Sequence, residues 1–408
     1  MSLAHTRAIG LVAALFVAAP AMAGETPVEV GVRPLYLIDK MADGPLKDVL
    51  KACIGKPVRP TLFSIGHRGA PLMFPEHTVE SNRAAAWQGA GILECDVTFT
   101  KDKELVCRHA QNDLHTTTNI VTTDLGKKCT QPFVPASGTK PAQAECRTSD
   151  ITLAEFRQLT PKMDGANVSA VTAKNYLDGT ANWRTDLYAA EPAKTMTHKE
   201  SIELFRALRA KFTPELKTPV VAMPFNGFSR ADYAQKLINE YKEAGVPASD
   251  VWPQSFDIAD IRYWIAHEPA FGAQAVYLID DETIPGLDGM NPSSWGFDPA
   301  ALKREGINYV APAITFLLTL DANGKIVPSR LARALKAADI KIIAWSLERS
   351  GPLTDGGGWY FQSVSKVIRG GGDYYTVLDV LAKDVGATGV FSDWPATVSY
   401  YASCQGLR

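Results

Sequence analysis

Side chains able to do acid–base and ionic chemistry collect at the ends of β-like runs. The first group is Ser64-Ile65-Gly66-His67-Arg68-Gly69-Ala70, an apolar run that ends in a His-Arg pair between glycines. A cation next to an imidazole at a strand end suits an anion. The second group is Leu93-Glu94-Cys95-Asp96-Val97. Alternation along a strand puts Glu94 and Asp96 on one face and Cys95 on the other. Two carboxylates on the inner face of a buried strand repel each other and lose solvation, so they call for a cation between them. Oxygen donors without Cys or His favour a hard ion, Ca2+ or Mg2+, over zinc.

After Lys101-Asp102-Lys103 the chain turns back through Leu105-Val106-Cys107-Arg108-His109, a hairpin that ends in a second imidazole. If His109 faces the same side as Asp96, strand alternation puts Cys107 and Cys95 on opposite faces, and the expectation is that these two cysteines are not bonded. The third group is Thr213-Pro214-Glu215-Leu216-Lys217, where Glu215 and Lys217 share a face. Glu215 would complete a metal cage, and Lys217 beside it suits a bound phosphate. A divalent ion with Arg68 and Lys217 neutralises a phosphate, and two imidazoles share the proton transfers. That is equipment for cleaving a phosphodiester.

The elements that must position these groups alternate. Short β-rich runs fall at Leu62–His67, Gly91–Val97, Phe212–Glu215, Asp250–Ser255, Ala275–Ile279, Asn308–Ala311, Lys341–Ser346 and Gly389–Ser392. Helical patterns lie between them, at Val79–Gln88, Asp232–Glu243, Pro328–Ala338 and Tyr374–Val385. Repeated βα units predict a parallel sheet, here an α/β (β/α)8 TIM barrel, with a doubly wound open sheet as the alternative because periodicity does not show closure. A bare barrel takes about 250 residues, so a loop-rich insertion (113–197) between the second and third barrel strands carries much of the excess. Within it only Leu153–Gln158 reads as helical. Insertions of this kind lie over the catalytic mouth as loops or caps.

The 408 residues carry 42 Lys+Arg against 44 Asp+Glu. That balance excludes nucleic acid or an anionic membrane surface as the main partner. Residues 1–23 read as an export signal: Arg7, an apolar stretch from Ala8 to Ala19, then Ala21-Met22-Ala23. No transmembrane segment is expected in the mature chain. Residues 24–60 are an N-terminal extension, and the barrel with its insertion occupies 61–401. The six cysteines of an exported chain suggest disulfides, Cys129 with Cys146 and Cys53 with Cys404.

Taken together the motifs resemble the glycerophosphodiester phosphodiesterases. The matching pieces are His67-Arg68-Gly69, Pro75-Glu76-His77-Thr78, Glu94-Cys95-Asp96, His109, Glu215-Leu216-Lys217, Gln254-Ser255-Phe256, Trp345 at a strand end, and Gly389-Val390-Phe391-Ser392-Asp393-Trp394-Pro395. The resemblance spans about residues 61–400. It implies a TIM barrel using one divalent cation, Ca2+ or Mg2+, with Glu94, Asp96 and Glu215 on the metal. It also implies His67 and His109 as acid and base, and Arg68 and Lys217 on the phosphate. Glu76, Gln254 and Trp345 are supporting residues, whereas His77 and His115 match no catalytic position and His198 reads as the start of a helix. The family usually follows its second His with Asp. Here Ala110 stands there, with Asp113 as a candidate substitute.

The expected activity is hydrolysis of glycerophosphodiesters, small molecules, to glycerol phosphate and an alcohol by an exported protein, periplasmic or secreted. A lysophospholipase D or sphingomyelinase D type of activity is the alternative chemistry. It needs an apolar route, for which Trp359-Tyr360-Phe361 and Phe316-Leu317-Leu318 offer themselves, although core packing is the reading adopted for both. A phosphodiester-binding protein without catalysis is the third reading.

Overall fold

The computed structural model describes residues 27–185, 187–189 and 192–407. The export-signal reading of residues 1–23 lies outside them. Eight parallel strands form the barrel: β1 (Thr61–Gly66), β2 (Ala90–Phe99), β3 (Lys211–Leu216), β4 (Gln254–Ser255), β5 (Val276–Ile279), β6 (Tyr309–Pro312), β7 (Lys341–Leu347) and β8 (Gly389–Ser392). Each pairs with its sequence neighbours, and β1 pairs with both β2 and β8, so the sheet closes. The open-sheet alternative falls on that pairing. β4 is shorter than its apolar run because Pro253 has no N–H to give the ladder, and the three residues before Val251 form a 3-10 turn.

Alternation sorts each strand into two cores. Ile65, Ile92, Val276, Leu278, Tyr309, Ala311, Ile343 and Phe391 fill the barrel interior. Leu93, Cys95, Val97 and Phe212 face outward into the layer between sheet and helices. Every residue of β2 is buried. Glu94 and Asp96 follow Ile92 on the inner face, so the interior passes from aliphatic to charged toward the C-terminal ends of the strands, where barrel enzymes keep their chemistry.

The hairpin corrects one expectation. Val97 lies opposite Cys107 and Phe99 opposite Leu105, so Cys107 faces outward with Cys95, and the two form a disulfide. The premise that failed was continuous alternation as far as His109. The strand ends at Cys107, Arg108 donates its backbone N–H to the Asp96 carbonyl at 2.8 Å, and the chain then bends so that His109 enters the mouth.

Cys129–Cys146 and Cys53–Cys404 are also bonded. The first lies in the insertion's own small core, with Leu114, Ile120, Ile151 and Phe156. The second joins the N-terminal lead, which carries helices Arg33–Asp39 and Pro45–Lys51, to the closing helix Ala396–Gln405. The insertion holds more helix than its sequence suggested. Besides Leu153–Phe156 it has single turns at Leu114–Thr117 and Ala173–Tyr176, too short to produce a periodic pattern. The pattern at Tyr374–Val385 resolves into an α-helix over Asp373–Asp379 and a π-type turn over Val380–Val385.

Candidate active site

The register of β2, β3 and β4 assembles the acidic cluster. Asp96 stands beside Glu215, and Glu215 beside Gln254, so all three point into the barrel. Glu94, Asp96 and Glu215 each bring an oxygen within 4.8 Å of the others, and all are buried. Glu94 Oε2 accepts from the Arg68 backbone N–H at 2.7 Å, and Oε1 accepts from Gln254 Nε2 at 2.9 Å. Asp96 Oδ2 meets His77 Nε2 at 2.8 Å, while Oδ1 is buried with no partner. Lys217 Nζ pairs with Glu215 Oε1 at 2.6 Å.

Electrostatics polarise the cluster. Burial and the charges of Asp96 and Glu215 push the Glu94 carboxyl well above its ordinary value. Glu215 is raised to about 7, by burial first and with Asp96 adding, against the pull of Lys217. Asp96 goes the other way: its burial is outweighed by His77, Lys217 and Arg68, which hold it ionised. Crowded carboxylates with an orphaned inward oxygen fit a divalent cation, and an all-oxygen donor set suits a hard one.

The loop after β1 has a geometry that explains its motif. Arg68 and His77 have left-handed backbones, with φ of 56° and 55°. His is among the few non-glycine residues enriched there. Gly69 sits at φ 92°, and a side chain at that position would meet the Ser81 backbone carbon at 2.7 Å. Thr78 caps the helix Val79–Trp87 by accepting from Ser81 N–H. This tight loop presents Arg68 to Glu76, whose Oε2 accepts from Arg68 Nη1 at 3.0 Å.

His67 follows β1, and its Nδ1 lies 2.6 Å from Asp393 Oδ1, at the end of neighbouring β8. A carboxylate only accepts, so the proton sits on Nδ1 and Nε2 is left basic. Burial lowers the imidazole to about 4, against the opposing pull of Asp393. His109 is held well below its usual value by burial, with Arg68, Lys217 and Arg349 adding. Asp113 does not orient the His109 ring. Its Oδ2 accepts from Ala110 N–H at 3.0 Å and its Oδ1 has no partner.

His67, Arg68, Glu94, His109, Glu215, Lys217, Gln254 and Trp345 all line one cavity of about 580 Å3. Asp96 and Glu76 lie just behind it, both ion-paired with Arg68 in its wall. One side of the cavity is aromatic, with Phe256, Trp345, Trp359 and Tyr360. Trp359 and Tyr360 thus serve the cavity wall as well as the core packing expected of them, whereas Phe361 and Phe316-Leu317-Leu318 are buried. His115 and His198 stand elsewhere, the first beside Cys146 and the second paired with Glu240. Sequence reasoning missed four groups. His77 lies within the motif but matches no catalytic position there, and the motif that contains Asp393 gives it no role. Arg184 and Arg349 sit far along the chain with no local signal.

A closed parallel barrel that gathers these cations, carboxylates and imidazoles at the C-terminal ends of its strands defines a class, the barrel hydrolases of phosphoric diesters. Comparison with known proteins narrows it. The model of the glycerophosphoryl diester phosphodiesterase family matches residues 67–397, and the chain belongs to that family. A "Glycerophosphodiester phosphodiesterase" of Haemophilus influenzae is 24% identical over 357 residues, covering 82% of this chain and 87% of that protein. An "Extracellular protein" of Arthroderma benhamiae is 46% identical over 249 residues, 60% of this chain and 100% of that protein. Among solved structures, one from Silicibacter pomeroyi assigned to the same activity shares the fold, with a TM-score of 0.54 at 18% identity. It covers 87% of this chain and 97% of that one.

Proposed function

We propose that this glycerophosphodiester phosphodiesterase is an exported, divalent-metal-dependent enzyme that uses His67 and His109 as base and acid. The observation that carries the reading is the cluster Glu94, Asp96 and Glu215, within 4.8 Å, in a mouth shared with Arg68, Lys217 and both imidazoles. Glu94, Asp96 and Glu215 would hold the ion, Ca2+ or Mg2+. When bound, it supplies positive charge against the phosphate oxygens and the negative charge that builds on them. Arg68 and Lys217 bind and orient the phosphate from the side.

His67 is neutral at pH 7 with Nε2 free, so it takes the proton of the attacking oxygen while Asp393 steadies the imidazolium that forms. The bond from phosphorus to the alcohol breaks, and the alkoxide leaves with a proton from His109. The anionic diester cancels the charge of Arg68 and Lys217, two of the groups that depress His109, and so raises its capacity to carry that proton. Disulfides and the extracellular relative support export.

The aromatic wall favours one second reading. An acyl chain on the substrate would run along Phe256, Trp345 and Trp359, which would make the enzyme a lysophospholipase D. Purified protein incubated with glycerophosphocholine and Ca2+ or Mg2+, followed by phosphorus-31 NMR, tests the main reading. Glycerol phosphate should appear, EDTA should stop it, and added metal should restore it. No turnover of glycerophosphocholine, glycerophosphoethanolamine or glycerophosphoglycerol with either metal would overturn it. Faster hydrolysis of lysophosphatidylcholine would favour the second reading.

A further inference from the structure

The insertion reaches the base of the site through one buried guanidinium. Arg184 is 7% exposed. Its Nη2 donates to Asp393 Oδ2 at 2.7 Å, and its Nη1 pairs with Asp164 Oδ1. Asp164, also in the insertion, accepts through Oδ2 from Arg349 Nη2 at 3.2 Å. Arg349 follows β7 and reaches Asp393 Oδ2 at 3.3 Å and Glu76 Oε2 at 3.4 Å. The other oxygen of Asp393 is the one on His67 Nδ1, at 2.6 Å. Next to Arg184, Thr185 donates its N–H to the Leu72 carbonyl at 3.2 Å, which pins the segment against the loop after β1.

In this knot Asp393, Asp164 and Glu76 pair with Arg184, Arg349 and Arg68. A buried ion cluster is a poor source of stability, because desolvation offsets the attraction. Orientation is what it supplies well. Without Arg184 the Asp393 carboxylate would keep only the longer Arg349 contact on Oδ2 and would be held less firmly against His67.

We propose that Arg184, held by Asp164, is a positioning residue: the insertion aims the His67 imidazole through Asp393 and so belongs to the catalytic apparatus as well as to its cover. The proposal rests on the reading of His67 as the base. Arg184 does not line the cavity, so its effect should fall on turnover and leave substrate binding alone.

The test is steady-state hydrolysis of glycerophosphocholine at saturating divalent metal by wild type, Arg184→Met, Arg184→Lys, Asp164→Asn and His67→Ala, with melting temperatures alongside. Arg184→Met should lower kcat by roughly 10- to 100-fold, the range known for outer partners that orient metal-bound histidines, and change KM by less than about threefold. Arg184→Lys should recover part of kcat. If Arg184→Met does not fold, Asp164→Asn decides, because it removes the charge that holds Arg184 against Asp393 while keeping a side chain of the same shape; a severalfold loss of kcat at unchanged KM is expected.

A kcat within about twofold of wild type in Arg184→Met, or in Asp164→Asn where Arg184→Met does not fold, overturns the proposal. So does a loss confined to KM, or equal losses in the Met and Lys variants. A fully active His67→Ala would bring down the acid–base reading and this inference with it. An inactive His67→Ala beside a fully active Arg184→Met would bring down this inference alone.

Discussion

Replacing Glu94 by glutamine separates the electrostatic cost of the acidic cluster from its hydrogen bonding. The glutamine oxygen keeps the bond from Arg68 N–H. Its new amide N–H meets Gln254, whose Oε1 has no partner and can accept after an amide flip. What changes is that the site no longer has to take up a proton to stay neutral. Two unit charges at 4.8 Å repel by about 3.5 kcal/mol at an effective dielectric constant of 20. Burial and that repulsion keep the folded carboxyl protonated, so the variant is spared the uptake of that proton, about 1.4 kcal/mol for each pH unit above the unfolded value, or about 3 kcal/mol at pH 7 in metal-free protein.

The pH dependence gives the sign. Burial and like charge raise the Glu94 carboxyl in the fold, so the folded state holds a proton that the unfolded state has released. Wild-type stability from this group is lost as pH climbs from the unfolded value toward the folded one, by about 1.4 kcal/mol per pH unit. His67, lowered to about 4, works in the opposite sense between that value and its unfolded one, so the wild-type profile alone is ambiguous. The difference between variant and wild type cancels His67. Urea denaturation in EDTA at pH 5, 6 and 7 should show Glu94→Gln gaining on wild type as pH rises. Saturating Ca2+ or Mg2+ should close the gap, since wild type gains about 2.7 kcal/mol at a hundredfold excess over Kd. A flat difference in EDTA, or a variant that is less stable at every pH, would refute the charge argument.

Changing His67 or His109 to alanine should cut kcat by roughly 10^2- to 10^4-fold while near-ultraviolet circular dichroism stays native; full activity in either would remove that imidazole from the chemistry. Breaking Cys129–Cys146 with two serines should cost about 3 kcal/mol, the entropy of opening a loop of this length, read by denaturant titration. Peptide mapping without reduction should recover Cys95 joined to Cys107; their recovery as free thiols would restore the alternation that the hairpin contradicts.

Much of the site was legible in the chain because strand alternation is local. Glu94 and Asp96 two residues apart must share a face, and so must Glu215 and Lys217, whatever the rest of the molecule does. The eight βα units likewise announced themselves, since apolar runs and helical periodicity are read within a dozen residues. His109 marks where local reasoning stops. Its entry into the mouth depends on a bend after Cys107, and a period of two says nothing about where a strand ends.

Tertiary structure alone decided closure, register and the groups behind the catalytic histidine. β1 meets β8 across some 320 residues of chain, and only that pairing sets Asp393 against His67. Arg184 and Arg349 arrive from an irregular insertion and from a loop after β7, where no periodic pattern fixes the direction of a side chain. Sequence thus determined which groups each strand offers. Their partners were settled by packing, because hydrogen bonds and ion pairs act through space at about 3 Å and carry no trace of their distance along the chain.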